Sequence, residues 1–135
     1  MKSYTDIEQS KKLAEILPLE SADMLYYCNK SNNIQISQHP FIRSFKEKDT
    51  FSYLPCWSLA ALLKLIPKHI LRKDKIHYGQ TFIPSFRWEI TPTAIYYTDG
   101  NNIMDYVSFR YGENNKELID AVFEMVIKLK ERNLI

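Results

Sequence analysis

Some segments of the chain have hydrophobic residues at helical spacing, and others have the alternating hydrophobic and polar residues of a strand. Thr5-Asp6-Ile7-Glu8 matches the capping box, in which the threonine hydroxyl accepts a hydrogen bond from the third helical N–H. Pro18 disfavours helical backbone at the residue before it. We therefore predict an N-terminal helix over residues 6–17. Its apolar face comprises Ile7, Leu13, Ala14, Ile16 and Leu17.

A short and almost uniformly apolar segment lies between Pro55 and Pro67. Pro55 suits a first helical turn because its missing N–H would have no partner there, and Pro67 stops the helix. Lys64 is the one charged residue between the two prolines, so we expect almost the whole circumference to be buried. The pattern predicts a core helix over residues 56–66, with Trp57 as a core anchor at its N-terminal end.

The pattern changes to alternation from Phe82 to Ile90, which is typical of a half-buried strand. Thr91-Pro92-Thr93 and Asp99-Gly100-Asn101-Asn102 then have the composition of turns, and the Asp-Gly pair permits the positive φ that tight turns need. Together these segments predict a three-stranded antiparallel meander over residues 82–111.

Helical spacing returns near the C-terminus. Asn114 can cap a helix whose third residue is Glu117, and the pattern predicts a long helix over residues 115–132. Its apolar positions are Leu118, Ile119, Val122, Phe123, Val126 and Leu129.

The residues between these elements follow no sustained period. Residues 19–27 fit either a helical turn or a strand, and we interpret them as a short helical turn that leads into extended chain. Residues 28–54 are expected to be mostly irregular, with short edge strands. Residues 68–79 are interpreted as a basic connector on the surface.

The order of these elements predicts an α+β fold, because a run of strands is followed by a long amphipathic helix. We expect the 56–66 and 115–132 helices to pack on one face of the meander, with the 6–17 helix alongside. A length of 135 residues with 45% hydrophobic side chains indicates one ordered globular domain, residues 1–135. The N-terminus lacks a secretory signal and no long uncharged apolar run occurs, which predicts a cytoplasmic protein without a membrane partner.

Cys56 is the first candidate for chemistry, because a thiol near a helix N-terminus forms a thiolate more readily. A reactive thiol also needs a basic partner, and no spacing brings His39, His69 or His77 near it, so we favour buried packing. Cys28 and Cys56 would form a disulfide only in an oxidising compartment, and we expect free thiols.

Other catalytic and metal-binding patterns have little support. Zinc sites use closely spaced ligand pairs, which the two cysteines and three histidines do not form. The three glycines are isolated in turns, unlike those of phosphate-binding loops. Four carboxylates near the meander are interpreted as turn or solvated residues: Glu89, Asp99, Asp105 and Glu113. The sequence therefore predicts no catalytic residue, no metal, no cofactor and no enzymatic activity.

A local basic segment is the remaining functional signal. Residues 64–77 contain five lysines and arginines against Asp74, a net charge of +4 in a chain whose total is +2. Lysines that contact phosphates and aromatic side chains that stack on bases would suit single-stranded nucleic acid. The candidate phosphate contacts are Lys68, Arg72, Lys73 and Lys75. The candidate stacking residues are Phe86, Trp88, Tyr96, Tyr97, Tyr106, Phe109 and Tyr111. A solvated loop beside half-covered strands explains the same pattern, so nucleic-acid binding is the alternative.

Three passages carry a resemblance: Ser21-Ala22-Asp23-Met24, the run from Pro55 to Leu63, and the run from Asp120 to Lys130. Together they resemble a group of small proteins of Bacteroides-type bacteria and their prophages or mobile elements. The resemblance implies a bacterial accessory protein and transfers no functional residue. With a full predicted core and no catalytic set, we expect a non-enzymatic protein-interaction protein of unidentified partner and oligomeric state.

Overall fold

The computed structural model describes residues 1–29, 35–42, 52–71 and 85–135. Its contacts cluster into two compact units, Met1–Leu65 and Ile66–Ile135. Both units combine helix with antiparallel sheet, so the predicted α+β class is confirmed. The single domain over residues 1–135 and the packing of the 56–66 helix on the meander stay predictions.

The first unit begins with helix α1, Ile7–Ile16, one residue shorter at each end than predicted. Its N-cap is Asp6 and not Thr5: Asp6 Oδ1 accepts the Gln9 N–H at 2.8 Å, and Gln9 Oε1 accepts the Asp6 N–H at 3.1 Å. The Thr5 hydroxyl is buried and accepts the Trp57 N–H at 3.1 Å instead. A tertiary contact therefore moves the helix start by one residue.

An antiparallel sheet follows, built around β1, Met24–Asn29. β4, Ser52–Cys56, pairs with β1 from Met24 to Cys28. On the other side, β2, Gln35–Ile36, and β3, Phe41–Ile42, pair with opposite ends of β1. A 3-10 turn at Leu19–Ser21 precedes β1, as the sequence predicted. The short strands expected within residues 28–54 are present in the described part of that range.

Helix α2 spans Leu59–Leu65, a shorter range than the predicted 56–66. Cys56 is the last residue of β4, so a helix beginning at 56 was wrong, and Pro55 lies in the same strand. Ser58 caps the helix: its hydroxyl accepts the Ala61 N–H at 3.1 Å, and its carbonyl accepts the Leu62 N–H. This cap fixes the helix start at Leu59, four residues after Pro55.

The burial of α2 is one-sided. Ala60 and Lys64 are exposed and Leu63 is half-buried, so the expected burial of almost the whole circumference was wrong. Ala61 and Leu62 face the core, and Trp57 is fully buried, as predicted for a core anchor. Other buried side chains of the unit are Leu13, Leu17, Ala22, Leu25, Tyr26 and Cys56.

The second unit contains a four-stranded antiparallel sheet of order β5-β6-β7-β8. The strands are β5 at His69–Leu71, β6 at Ser85–Ile90, β7 at Ala94–Thr98 and β8 at Ile103–Arg110. The last three are the predicted meander, apart from residues 82–84, which lie outside the described residues. β5 is a correction: part of the segment interpreted as a connector pairs with β6.

Both turns of the meander follow the prediction. The Thr91 N–H donates to the Ala94 carbonyl at 2.8 Å in the first turn. In the second, Asp99 Oδ1 accepts the N–H groups of Asn101 and Asn102 at 2.9 and 2.7 Å, and Gly100 has a φ of 100°. Asp99 therefore has the turn role predicted for it.

Helix α3 spans Leu118–Glu131 and packs against β7 and β8. Asn114 and Asn115 have positive φ of 54° and 60°, so a helix beginning at 115 with Asn114 as its cap was wrong. Glu117 is the N-cap, and its N–H donates to Asp120 Oδ2 at 2.8 Å. The buried side chains of this unit include Ile95, Tyr97, Val107, Ile119, Val122, Met125, Val126 and Leu129. Among the described helices, none has the length and apolar character to cross a bilayer.

Candidate functional site

The β5–β6 hairpin presents polar side chains on one face. His69 and Arg87 are direct cross-strand partners. Ser85 and Glu89 each lie two residues from Arg87 in β6, so they share its face. Ser85 Oγ lies 3.5 Å from His69 Nδ1, and Arg87 Nε donates to Glu89 Oε1 at 3.3 Å. The face therefore combines an imidazole, a hydroxyl and a guanidinium with one carboxylate.

The predicted phosphate contacts flank strand β5. Lys68 is exposed and directly precedes His69. Arg72, Lys73 and Lys75 lie outside the described residues, in the stretch of chain that connects β5 to β6. The structure thus places Lys68 beside the hairpin and leaves the proposed role of the other three as a prediction.

The predicted stacking residues do not form one surface. Phe86 and Tyr97 are buried, and the Tyr97 hydroxyl donates to the Pro67 carbonyl at 2.6 Å, so both belong to the core. The Tyr106 ring is covered by the Arg132 guanidinium, 4.5 Å from its centroid. Tyr96 is different, because it pairs with Glu89 and so lies on the polar face of Arg87. Tyr96 therefore adjoins the hairpin face.

Cys56 lies in a buried polar cluster and not at a helix N-terminus. Its thiol donates to the Thr5 carbonyl at 3.4 Å and accepts from the Thr5 hydroxyl at 3.5 Å. The Thr5 hydroxyl is also 2.8 Å from Ser10 Oγ, and the Tyr26 hydroxyl donates to the Thr5 carbonyl at 2.8 Å. Cys56 is fully buried, and burial raises the pKa of its thiol. The environment therefore favours the unreactive thiol over the thiolate.

The side-chain hydrogen bonds of Cys56 within the described residues are to Thr5 and involve no histidine. His39 Nδ1 lies 3.4 Å from the Tyr4 hydroxyl, and His69 is in the β5–β6 hairpin. His77 lies outside the described residues. The described parts of the chain contain no group of three metal-binding side chains, and Cys28 and Cys56, both within them, are not joined in a disulfide.

Sequence reasoning missed a set of hydrogen bonds within the first unit that joins Ser21 and Asp23 to Trp57 and Ser58. Asp23 Oδ1 accepts the Ser58 N–H at 2.8 Å, and Trp57 Nε1 donates to Ser21 Oγ at 2.9 Å. Ser21 and Asp23 thus each hold one of two adjacent residues, Trp57 and Ser58. The paired motifs Ser-Ala-Asp and Trp-Ser were visible in the sequence, but their separation along the chain concealed the contact. These hydrogen bonds orient the start of α2.

The first unit also has an exposed apolar edge. Phe41 is 52% and Ile42 82% exposed, in the short strand β3. The Phe41 and Tyr27 rings lie 5.1 Å apart between centroids, and Tyr53, 37% exposed, is the cross-strand partner of Tyr27. We name these four residues, Tyr27, Phe41, Ile42 and Tyr53, the apolar edge. Phe41, Tyr27 and Tyr53 lie on one face of the sheet and Ile42 lies on the other, and neighbouring apolar side chains that stay partly exposed are typical of an interaction surface.

An open groove of about 370 Å³ lies at the start of α1, lined by Tyr4, Asp6, Ile7, Glu8, Tyr26 and Gln38. Its two carboxylates already have cationic partners. Lys2 Nζ is 3.0 Å from Asp6, and Lys11 Nζ is 3.5 Å from Glu8. The groove is therefore close to electrically neutral, and its acidic residues do not select a cation.

Comparison of the chain with protein-family models, curated proteins and solved structures gives no match. The hairpin face, the apolar edge and the buried cysteine cluster are the features of the described residues that bear on function.

Proposed function

We propose that this chain is a non-catalytic interaction protein that binds an apolar segment of a protein partner at the apolar edge. The observation that carries the proposal is the exposure of Phe41 and Ile42 at 52% and 82%. Burying such side chains in a partner removes apolar surface from water, at roughly 25 cal/mol per Å². Burial of the apolar edge in a partner is therefore energetically favourable.

The geometry of β3 defines the kind of partner. Phe41 and Ile42 are consecutive in a strand, so their side chains point to opposite faces of the sheet. A partner that buries both must present apolar side chains around the strand edge. The resemblance to proteins of bacterial mobile elements makes a phage or host protein the proposed class of partner.

The buried cysteine supports a non-catalytic role. Cys56 is the nucleophile that the sequence made most plausible, and its thiol is enclosed with its pKa raised by burial. The hydrogen bonds of Thr5 to Cys56, Ser10 and Trp57 explain why polar residues occupy this part of the core. Packing in the core therefore explains why a cysteine occupies position 56, and no catalytic role is needed to explain it.

Affinity capture from the source cells tests the proposal, with Phe41→Ser/Ile42→Ser as the variant. Ile103→Ser is the matched control, because Ile103 is 49% exposed in the second unit. We expect specific proteins to be retained by the parent and the control and lost by the double variant, at unchanged thermal stability. Equal capture by all three proteins would contradict a role for the apolar edge.

A second candidate function, binding of single-stranded nucleic acid, is favoured by the hairpin. The structure places His69 opposite Arg87, and the sequence places Lys68 before β5 and three basic residues after it. The test replaces Lys68, Arg72, Lys73 and Lys75 with serine. Each lost phosphate contact should reduce the log–log salt slope by roughly 0.7. A parent protein that shows no binding at low salt would exclude this candidate.

A further inference from the structure

We infer that His69, Ser85 and Arg87 form a binding site for a backbone phosphate of single-stranded nucleic acid. This inference rests on the second proposed function. The Cβ atoms of direct cross-strand partners lie about 5 Å apart. His69 and Arg87 are such partners, and Ser85 Oγ is 3.5 Å from His69 Nδ1. The imidazole, the hydroxyl and the guanidinium therefore lie together on one face of the paired strands β5 and β6.

The donors are available to a ligand. Arg87 uses Nε to contact Glu89, and its side chain is 61% exposed. Within the part of the chain that the structure describes, no hydrogen bond to its two terminal nitrogens or to His69 Nε2 is found. A guanidinium can place two parallel N–H groups on phosphate oxygens, which gives strong and directional binding. His69 Nδ1 and Ser85 Oγ share one hydrogen bond, so in either tautomer of a neutral imidazole the pair keeps one donor for a remaining oxygen, His69 Nε2–H or the Ser85 hydroxyl.

The neighbouring residues favour a polymer over free phosphate. Tyr96 is half-buried and is the cross-strand partner of Glu89, one row along the face from Arg87. An aromatic ring beside a phosphate contact offers a stacking surface for the adjoining base. Glu89 orients the guanidinium but adds a negative charge that opposes the phosphate. Its removal should therefore have the opposite effect to removal of Arg87.

Fluorescence anisotropy with labelled oligothymidylate at low salt tests the site. Arg87→Gln should weaken binding by about tenfold, the effect of losing a charged hydrogen bond, and should lower the salt slope by about 0.7. Glu89→Gln should strengthen binding. Lys12→Gln is the charge-matched control, since Lys12 is exposed on α1, and it should bind like the parent.

Three outcomes would overturn the inference. Equal weakening by Arg87→Gln and Lys12→Gln would show a diffuse charge effect and would leave the second proposed function intact, provided the four-serine variant still loses affinity. A polyglutamate of equal charge that binds as tightly as the oligonucleotide would identify an acidic protein ligand. Nuclear magnetic resonance shifts of the Arg87 Nε–H that saturate equally with inorganic phosphate would identify free phosphate. A saturating shift with the oligonucleotide alone supports the inference.

Discussion

Asp23 holds Ser58 through two hydrogen bonds, with its Oδ1 accepting the Ser58 N–H at 2.8 Å and its Oδ2 accepting the hydroxyl at 2.5 Å. The same hydroxyl accepts the Ala61 N–H in the first turn of α2. The carboxylate before β1 thus fixes the residue that caps α2. This contact links two segments that are 35 residues apart in the sequence.

Asp23→Ala is expected to lower the free energy of unfolding by about 1 kcal/mol, because the Ser58 cap loses its support. Chemical denaturation measures the change. Glu20→Ala is the control, since Glu20 is an exposed acidic residue of the preceding 3-10 turn, and it should change stability by only a few tenths of a kcal/mol. Equal effects of the two substitutions would contradict the role of the Asp23–Ser58 contact.

Trp57→Ala should destabilise the protein by about 3 to 5 kcal/mol, since Trp57 is fully buried. That loss is a large share of the 5 to 15 kcal/mol typical of a domain, so we expect insoluble or partly unfolded protein. Trp57→Phe keeps most of the apolar volume and loses the hydrogen bond to Ser21, so its loss should be smaller. An alanine variant that melts like the parent would show the core assignment to be wrong.

Cys56 should react slowly with thiol reagents in the folded protein. Its sulfur is buried and its pKa is raised by that burial, so both access and thiolate formation are reduced. In a Cys28→Ser background, labelling at neutral pH should be slow in native buffer and fast in denaturant. Rapid native labelling would contradict the enclosed cluster and would restore Cys56 as a candidate nucleophile.

Stability should fall as the pH rises above the ordinary thiol pKa of 9.0. The folded pKa of Cys56 is raised, so the unfolded thiol loses its proton first and this ionisation lowers the free energy of the unfolded state relative to the folded state. The stabilisation is fully present below the unfolded pKa and is lost toward the folded pKa. Cys56→Ala should flatten the decline of unfolding free energy from about pH 9 upward. Burial also raises the pKa of Tyr26 and Tyr97, so a decline above about pH 10 should remain.

The sequence predicted the meander and the C-terminal helix because their signals are local. Alternation along residues 85–90, the Asp99-Gly100 turn and the apolar spacing of α3 each depend on neighbouring residues. The exact helix starts were predicted less well. Thr5 had the composition of a cap, but its hydroxyl bonds to the Trp57 N–H, and Asp6 caps α1 instead.

For the candidate site, the sequence identified a basic segment but not its arrangement. Nothing in local composition shows that His69 pairs with Arg87, because strand register is set by contacts across the sheet. Phe86 and Tyr97 were predicted to stack on bases because they are aromatic. Their burial in the core, which the sequence does not show, excludes them from that role.

By itself, the sequence determined the α+β class, the approximate position of the long elements and the burial of Trp57, since periodicity and turn chemistry act over a few residues. The tertiary structure alone decided the partners of Thr5, Asp23 and Cys56, the edge strand β5 and the exposure of Phe41 and Ile42. These features depend on contacts between segments that are distant in the chain. Such contacts form only once the strand register and the buried face of each helix are set by tertiary packing.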